Sequence, residues 1–223
     1  MKALLVNASP RKNWNTAQLL DAFAEGAREE GTETETVHLY DLSFAGCRSC
    51  LACKLKNTKF RGRCAVRDGL SPVLEKAMAA DVIAMGSPIY FSYPTGTLRS
   101  FLERLLFPQD TYLVDGAGKR VKILDRTIPC AMIYTMNCPE SYLPAVRYHK
   151  IMEPNHAEVA RLFGHCEALW CCDTLQVADY SRYDMNMFPE AAKRAHRDEQ
   201  FPKDLAAARD LGRRLVRLAA ATH

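Results

Sequence analysis

Short apolar runs alternate with longer stretches of helical periodicity along most of this chain, and that rhythm limits the fold more than any other feature. The runs Ala3–Val6, Thr34–Leu39, Asp81–Gly86, Pro129–Thr135 and Ala168–Val177 read as strands, most of them ending at polar residues or glycine. Between them, Leu19, Leu20, Phe23 and Ala27 share one face of a first helix. Leu70, Val73, Leu74, Ala77 and Met78 share a face of a second, with Ser71 and Pro72 as cap and first-turn residues. A third helix begins near Thr97 and aligns Leu98, Phe101, Leu102 and Leu105. A fourth covers Asn155–Cys166, and a last one runs Lys203–Ala220. Strands that each hand over to a helix predict an α/β protein with a mostly parallel, doubly wound sheet and helices on both faces.

With 223 residues, 48% of them apolar, the chain can bury such a core as one domain spanning residues 1–223. No internal repeat or low-complexity segment divides it. The start "MKALLVNASP" is too short an apolar stretch for a signal core, and no run reaches the roughly eighteen apolar residues of a membrane helix. The expectation is a cytoplasmic protein without a membrane partner. A net charge of +4, without arginine–aromatic interleaving, favours small anions over nucleic acid.

Two connections, Pro108–Thr127 and Asn137–Pro154, are long beside the roughly 2–6 residues usual in α/β units. Each reads either as a lid or subunit contact or as a surface excursion without function. The first holds "DGAGKR", a hairpin tip; the second carries Tyr142, Tyr148 and His149, of which Tyr142 and His149 are substrate-contact or packing candidates.

The first strand leads into the first helix through "VNASPRKNWNTAQLL". A helix N-terminus presents free N–H groups and positive dipole, so Ser9, Asn15 and Thr16 can donate to a phosphate there and Arg11 can add charge. Neither GxGxxG nor GxxxxGK[ST] occurs at this turn, which favours a monophosphate ester over a pyrophosphate. The alternative is that Ser9 and Asn15 only form turns and cap the helix. The third strand ends in "GSPIYFSYPTG", a turn at Gly86–Pro88 followed by aromatics and a glycine ahead of a helix. Backbone N–H groups and flat side chains at a strand's carboxyl end suit a planar aromatic ligand, although Tyr90, Phe91 and Tyr93 are equally compatible with packing.

Taken together, "ASPRKNWNT", "GSPIYFSYPTGTLRSFLERL" and "IYTMNCP" resemble the flavodoxin-like NADPH-dependent FMN reductases and the related iron–sulfur flavoproteins, over Lys2 to about Val177. The resemblance implies a three-layer flavodoxin-like fold with a five-stranded parallel sheet in the order 2-1-3-4-5 and FMN at the strands' carboxyl ends. It implies that Ser9, Arg11, Asn15 and Thr16 hold the FMN phosphate, and that Pro88, Ile89, Tyr90, Phe91 and Gly96 run along the isoalloxazine ring. Thr135, Met136 and Asn137 would form a third flavin-side loop. Trp14 departs from the small residue usual in that first loop. The implied activity is ping-pong hydride transfer from NAD(P)H through FMN to a small-molecule electron acceptor such as a quinone, flavin, nitro or azo compound. The implied assembly is a homodimer or homotetramer.

Cys47, Cys50 and Cys53 stand at steps of three, and Cys64 follows. Such spacing can bring thiolates to one [4Fe–4S] cluster, which gives the alternative function of an iron–sulfur electron carrier. Against it, ten residues including Lys56, Lys59, Arg61 and Arg63 separate Cys53 from Cys64, and "GCRSCLACK…GRCAVRD" also resembles relatives in which these thiols are free. A third reading is a redox-responsive binding protein without turnover. Cys130, Cys166, Cys171 and Cys172 read as small buried hydrophobes, Cys138 as a thiol near the flavin, and "KRAHRDE" and "DEQFPKD" as solvated charge.

Overall fold

A computed structural model describes residues 1–222. Five strands form a parallel sheet: β1 (Lys2–Asn7), β2 (Glu33–His38), β3 (Val82–Tyr90), β7 (Cys130–Thr135) and β8 (Cys166–Cys171), in the order β2-β1-β3-β7-β8. In sequence order this is the 2-1-3-4-5 arrangement of the flavodoxin-like fold. A two-residue strand, β4 (Tyr93–Pro94), pairs antiparallel with the end of β3. A separate hairpin, β5 (Asp110–Val114) with β6 (Arg120–Lys122), fills the first long connection. Its tip is the "DGAGKR" segment, where the Asp115 carboxylate accepts from the N–H groups of Ala117 and Lys119, each at 2.9 Å.

Strand alternation divides the core into two layers. Leu4, Val6, Ile83, Met85, Met132 and Tyr134 point to one face, covered by α2 (Ser71–Ala79), α3 (Gly96–Leu106) and α5 (Tyr148–Phe163). Leu5, Val82, Ala84, Ala131 and Ile133 point to the other, covered by α1 (Asn15–Glu29) and α6 (Glu190–Thr222). A one-turn helix, α4 (Leu143–Val146), precedes α5. The two helices on the second face cross backbone to backbone: a Cβ on Gly26 would lie 1.9 Å from the Arg209 carbonyl oxygen, and one on Gly212 would lie 2.2 Å from that of Phe23.

Several boundaries differ from the sequence expectation, each for a physical reason. The last strand ends at Cys171, short of Val177, because Asp173 adopts a left-handed conformation (φ 53°) and turns the chain across the sheet edge. The fourth helix starts at Tyr148 and holds Pro154 in its interior. It stops at Gly164, whose φ of 94° makes a left-handed cap, so Cys166 belongs to a strand. The last helix begins at Glu190 and carries Pro202 within it. There is no turn at Gly86–Pro88; β3 continues to Tyr90, and the reversal falls on Phe91 and Ser92, with φ of 47° and 71°. Positive φ at both central residues matches the twist of a two-residue hairpin and strains side chains other than glycine.

Candidate functional site

Three connections at the carboxyl ends of β1, β3 and β7 converge on one region. The register that aligns Asn7 with Gly86 and Pro88 with Thr135 fixes their level. Thr16, in the first turn of α1, meets Thr135 hydroxyl to hydroxyl at 2.8 Å. Thr95 caps α3 by accepting from the Leu98 N–H, donates its hydroxyl hydrogen to the Ala8 carbonyl at 3.0 Å, and donates its own N–H to the Ser87 hydroxyl at 3.0 Å. Gly86 is glycine because a Cβ there would lie 2.7 Å from the Thr16 methyl, which closes α1 onto β3.

Ser9, Asn15 and Thr16 are buried, whereas Arg11 is exposed. The Ser9 hydroxyl accepts from the Arg11 N–H at 3.1 Å, forming the turn. The side chains that the sequence assigns to a phosphate are partly engaged by the segment after β8. The Leu175 carbonyl accepts from Asn15 Nδ2 at 2.8 Å and Trp14 Nε1 at 2.9 Å, and the Gln176 carbonyl accepts from the Arg11 guanidinium. Trp14, the departure noted in the sequence, thus serves as an anchor for that segment. Beside it lies an open cavity of about 410 Å³ lined by Arg11, Asn13, Trp14, Val177, Asp179, Arg182 and Tyr183.

Pro88 and Ile89 are half-buried along the end of β3, Tyr90 and Phe91 are exposed at the hairpin, and Gly96 opens α3 with free space around it. Phe91 is fully exposed, at 101%. Burial pushes the Tyr90 phenol up from its ordinary pKa. In the third loop Thr135 and Met136 are buried and Asn137 is half-buried.

This site fits a flavin phosphate and ring on two observations. Trp14 gives α1 no side-chain cap, so its first-turn N–H groups keep the unshielded positive end of the helix. In addition, Asn7 Nδ2 and Asn137 Oδ1, at the ends of β1 and β7, are buried without a hydrogen-bond partner. A polar atom left so costs about 1–3 kcal/mol, which a ligand bearing matching groups relieves.

Residues that the sequence reading missed hold the site together. Thr95 was legible as a cap, standing directly before the helical pattern. Lys193 was not: within "KRAHRDE", assigned to solvated charge, it is 2% exposed. Its ammonium donates to Asp173 at 2.5 Å, to the Asn137 carbonyl at 3.1 Å and to the Thr174 carbonyl at 3.4 Å. Arg197, in the same segment, donates to Asn15 Oδ1 at 2.6 Å and Gln18 Oε1 at 2.8 Å. Phe201 and Asp204 of "DEQFPKD" are buried as well. The helix starts earlier than its periodicity suggests, and this extra length lays those residues against the loops.

The cysteine segment lies along the middle and last turns of α3. Cys47, Cys50, Cys53 and Cys64 all line one small cavity of about 20 Å³. The fully buried Arg104 side chain organises it, donating to Asp68 at 2.5 Å, to the carbonyls of Ala45 at 3.1 Å and Val66 at 3.0 Å, and to Cys64 Sγ at 3.4 Å. Burial pushes the Cys53 thiol up, against the pull of Lys54. Among the described residues, no three or more His, Cys, Asp or Glu side chains are arranged to hold a metal ion. Of the other cysteines, Cys130, Cys171 and Cys172 are buried, with Cys171 and Cys172 on opposite faces of the sheet, and Cys166 is half-buried. Burial pushes the Cys166 and Cys172 thiols up to about 12. His149 packs edge-on against Trp170 at 4.3 Å, and Tyr142 packs against Phe188.

Among the described residues, no helix is long and apolar enough to cross a membrane. An iron–sulfur flavoprotein of Archaeoglobus fulgidus is 38% identical over 104 residues, which are 47% of this chain and 48% of that protein. The chain spans about half the length of the curated relatives it matches. Among solved structures, an azoreductase from Bacillus anthracis superposes with a TM-score of 0.66 at 15% identity, covering 96% of this chain and 99% of that one. An NAD(P)H:quinone oxidoreductase from Methanothermobacter marburgensis gives a TM-score of 0.60 at 17% identity, covering 96% of each chain. At these identities the likeness is one of fold. The family model described as NADPH-dependent FMN reductase matches residues 1–120, more than half the sequence and the part that carries the first two loops and the cysteine segment. By that match the chain belongs to the NADPH-dependent FMN reductase family.

Proposed function

We propose that this protein is an FMN-dependent NAD(P)H oxidoreductase that passes electrons by ping-pong hydride transfer to a diffusible acceptor, a quinone, flavin, nitro or azo compound. The observation that carries the reading is the convergence of three strand-end loops on one point, marked by the 2.8 Å contact of Thr16 and Thr135. When bound, FMN supplies the redox chemistry, accepting two electrons as hydride and releasing them to the acceptor.

The chain's own residues bind and orient. The first-turn N–H groups of α1 and the Ser9 hydroxyl would hold the phosphate, with Arg11 adding charge. Pro88, Ile89, Tyr90, Phe91 and Gly96 would hold the ring, and Thr135, Met136 and Asn137 would hold its polar edge. The Asn137 amide oxygen, buried and unpaired, would be the acceptor available to a ring N–H. Donor and acceptor would take turns at the cofactor, which gives ping-pong kinetics. Residues 1–223 act as one domain in the cytoplasm, and the exposed aromatic hairpin at Tyr90–Tyr93 joins copies into a homodimer or homotetramer.

The test is purification with FMN, followed by visible spectroscopy and initial rates with NADH and NADPH against a quinone. Stoichiometric flavin and parallel double-reciprocal lines are expected. A chain that binds no FMN and oxidises neither nucleotide sinks the reading.

A second reading, an iron–sulfur flavoprotein that carries single electrons, is favoured by one observation: all four cysteines of the 47–64 segment line the same cavity. The name borne by the curated relatives agrees with it. Anaerobic purification with iron and acid-labile sulfide analysis separates the two. About four of each per chain supports the cluster, and none of either rejects it.

A further inference from the structure

Among the described residues, the half-buried Arg197 guanidinium has no anionic partner in contact. It sits on α6 with Phe201 beneath it, the guanidinium carbon 3.5 Å from the ring centroid. Its two hydrogen bonds go to neutral amides, Asn15 Oδ1 and Gln18 Oε1. Among the described residues no carboxylate lies in ion-pair contact with it, although every other arginine of α6 has one: Arg194 pairs with Glu190, Arg209 and Arg213 with Glu29, Arg214 with Glu167 and Arg217 with Glu30. Asp198 and Asp204 act on it only through space, and burial outweighs them in lowering its pKa.

An uncompensated cation is therefore held, partly desolvated, against the first turn of α1. The uncapped N–H groups there already present positive potential, so the two add. Such an arrangement is unfavourable alone and is relieved by a dianion. Arg197 also sets the Asn15 amide: with Oδ1 occupied by the guanidinium, Nδ2 faces the Leu175 carbonyl at 2.8 Å. The other charged groups packed around this region are Arg11, which donates to the Gln176 carbonyl, and the Lys193–Asp173 pair, which is internally neutralised.

We infer that Arg197 is the positioning and charge-compensating residue of the phosphate end of the cofactor site, and that it makes the site select a phosphorylated flavin over the unphosphorylated one. The inference rests on the FMN reading above. Part of the electrostatic work assigned by sequence to Arg11 falls instead to a residue 182 positions from Asn15.

The experiment compares FMN and riboflavin binding by flavin fluorescence quenching in wild type, Arg197→Met and Arg197→Lys, with Lys203→Met on the exposed side of the same helix as control. The expected result is at least a tenfold loss of FMN affinity in R197M with riboflavin affinity changed less than twofold, partial recovery in R197K, and no change in K203M. Steeper salt dependence of FMN binding in wild type than in R197M is expected as well. Equal weakening of both ligands, or of neither, overturns the inference while leaving the FMN reading in place. Failure of wild type to bind FMN defeats that reading instead. Should R197M fail to fold, R197K and Arg197→Gln carry the same comparison, since a packing role predicts parallel losses for the two flavins.

Discussion

Lys193 and Asp173 form an ion pair at 2.5 Å with side chains only 2% and 15% exposed, and it is placed where the third loop, the segment after β8 and the C-terminal helix meet. Removing one member of a buried pair strands the other, at a cost of about 3–5 kcal/mol. Lys193→Met is therefore expected to lower the urea midpoint by an amount equivalent to about 3 kcal/mol. Asp173→Asn is expected to lose less, because its amide still accepts from the ammonium. A K193M protein with unchanged stability would show that the pair is not formed in solution.

The Thr16–Thr135 contact joins two loops of the site through hydroxyls of buried side chains. Thr16→Val or Thr135→Val singly leaves one buried hydroxyl without that partner and is expected to destabilise by about 1–2 kcal/mol. The double valine variant removes both hydroxyls, so its loss is expected to be smaller than the sum of the singles. Chemical denaturation of the four proteins gives the cycle, and strict additivity would refute the coupling.

At the helix crossing, a methyl on Gly212 meets the Phe23 carbonyl at 2.2 Å, an atom that cannot rotate away. Gly212→Ala is expected to destabilise by about 1–3 kcal/mol through overpacking, despite the better helix propensity of alanine. Thermal unfolding reads this directly: a raised Tm would mean the helices are farther apart.

The Asp68 carboxyl is desolvated, which alone would raise its pKa, but the buried Arg104 guanidinium and the Leu70 N–H more than offset this and hold it below the usual carboxylate range. A depressed folded pKa adds stability that is present above the unfolded carboxylate value of about 4 and disappears as pH falls below it. Asp68→Asn is thus expected to be less stable than wild type at pH 7 and to show a flatter loss of stability between about pH 5 and 3. Parallel pH profiles for the two proteins would contradict the assignment.

The sheet was readable from sequence because each strand carries its own signal, an apolar run bounded by polar residues or glycine, and Leu4–Val6 or Ile83–Met85 need no distant partner to identify them. The connections after β1 and β3 were readable as local motifs, although the turn expected at Gly86–Pro88 falls instead on Phe91 and Ser92. The α5 and α6 boundaries were not, since Pro154 and Pro202 look like helix breaks yet lie within helices that tertiary packing sustains. Lys193 and Arg197 were hidden because a cation's surroundings depend on where a helix begins relative to loops far away in sequence. The segment 172–177, read as strand, becomes a crossing strand-end loop through one left-handed residue, Asp173, which no periodicity marks.

The pairing of α1 with α6 also has a consequence in time. Asn15 and Arg197 are 182 positions apart, so a ribosome adding about 5–20 residues per second releases the first half of this contact roughly 10–35 s before the second. During that interval the inner face of α1 and the Ala131 and Ile133 side of the sheet lack the helix that packs against them. The nascent chain must keep this apolar surface from wrong partners until α6 arrives, and the connection from β1 to α1 is fully braced only then.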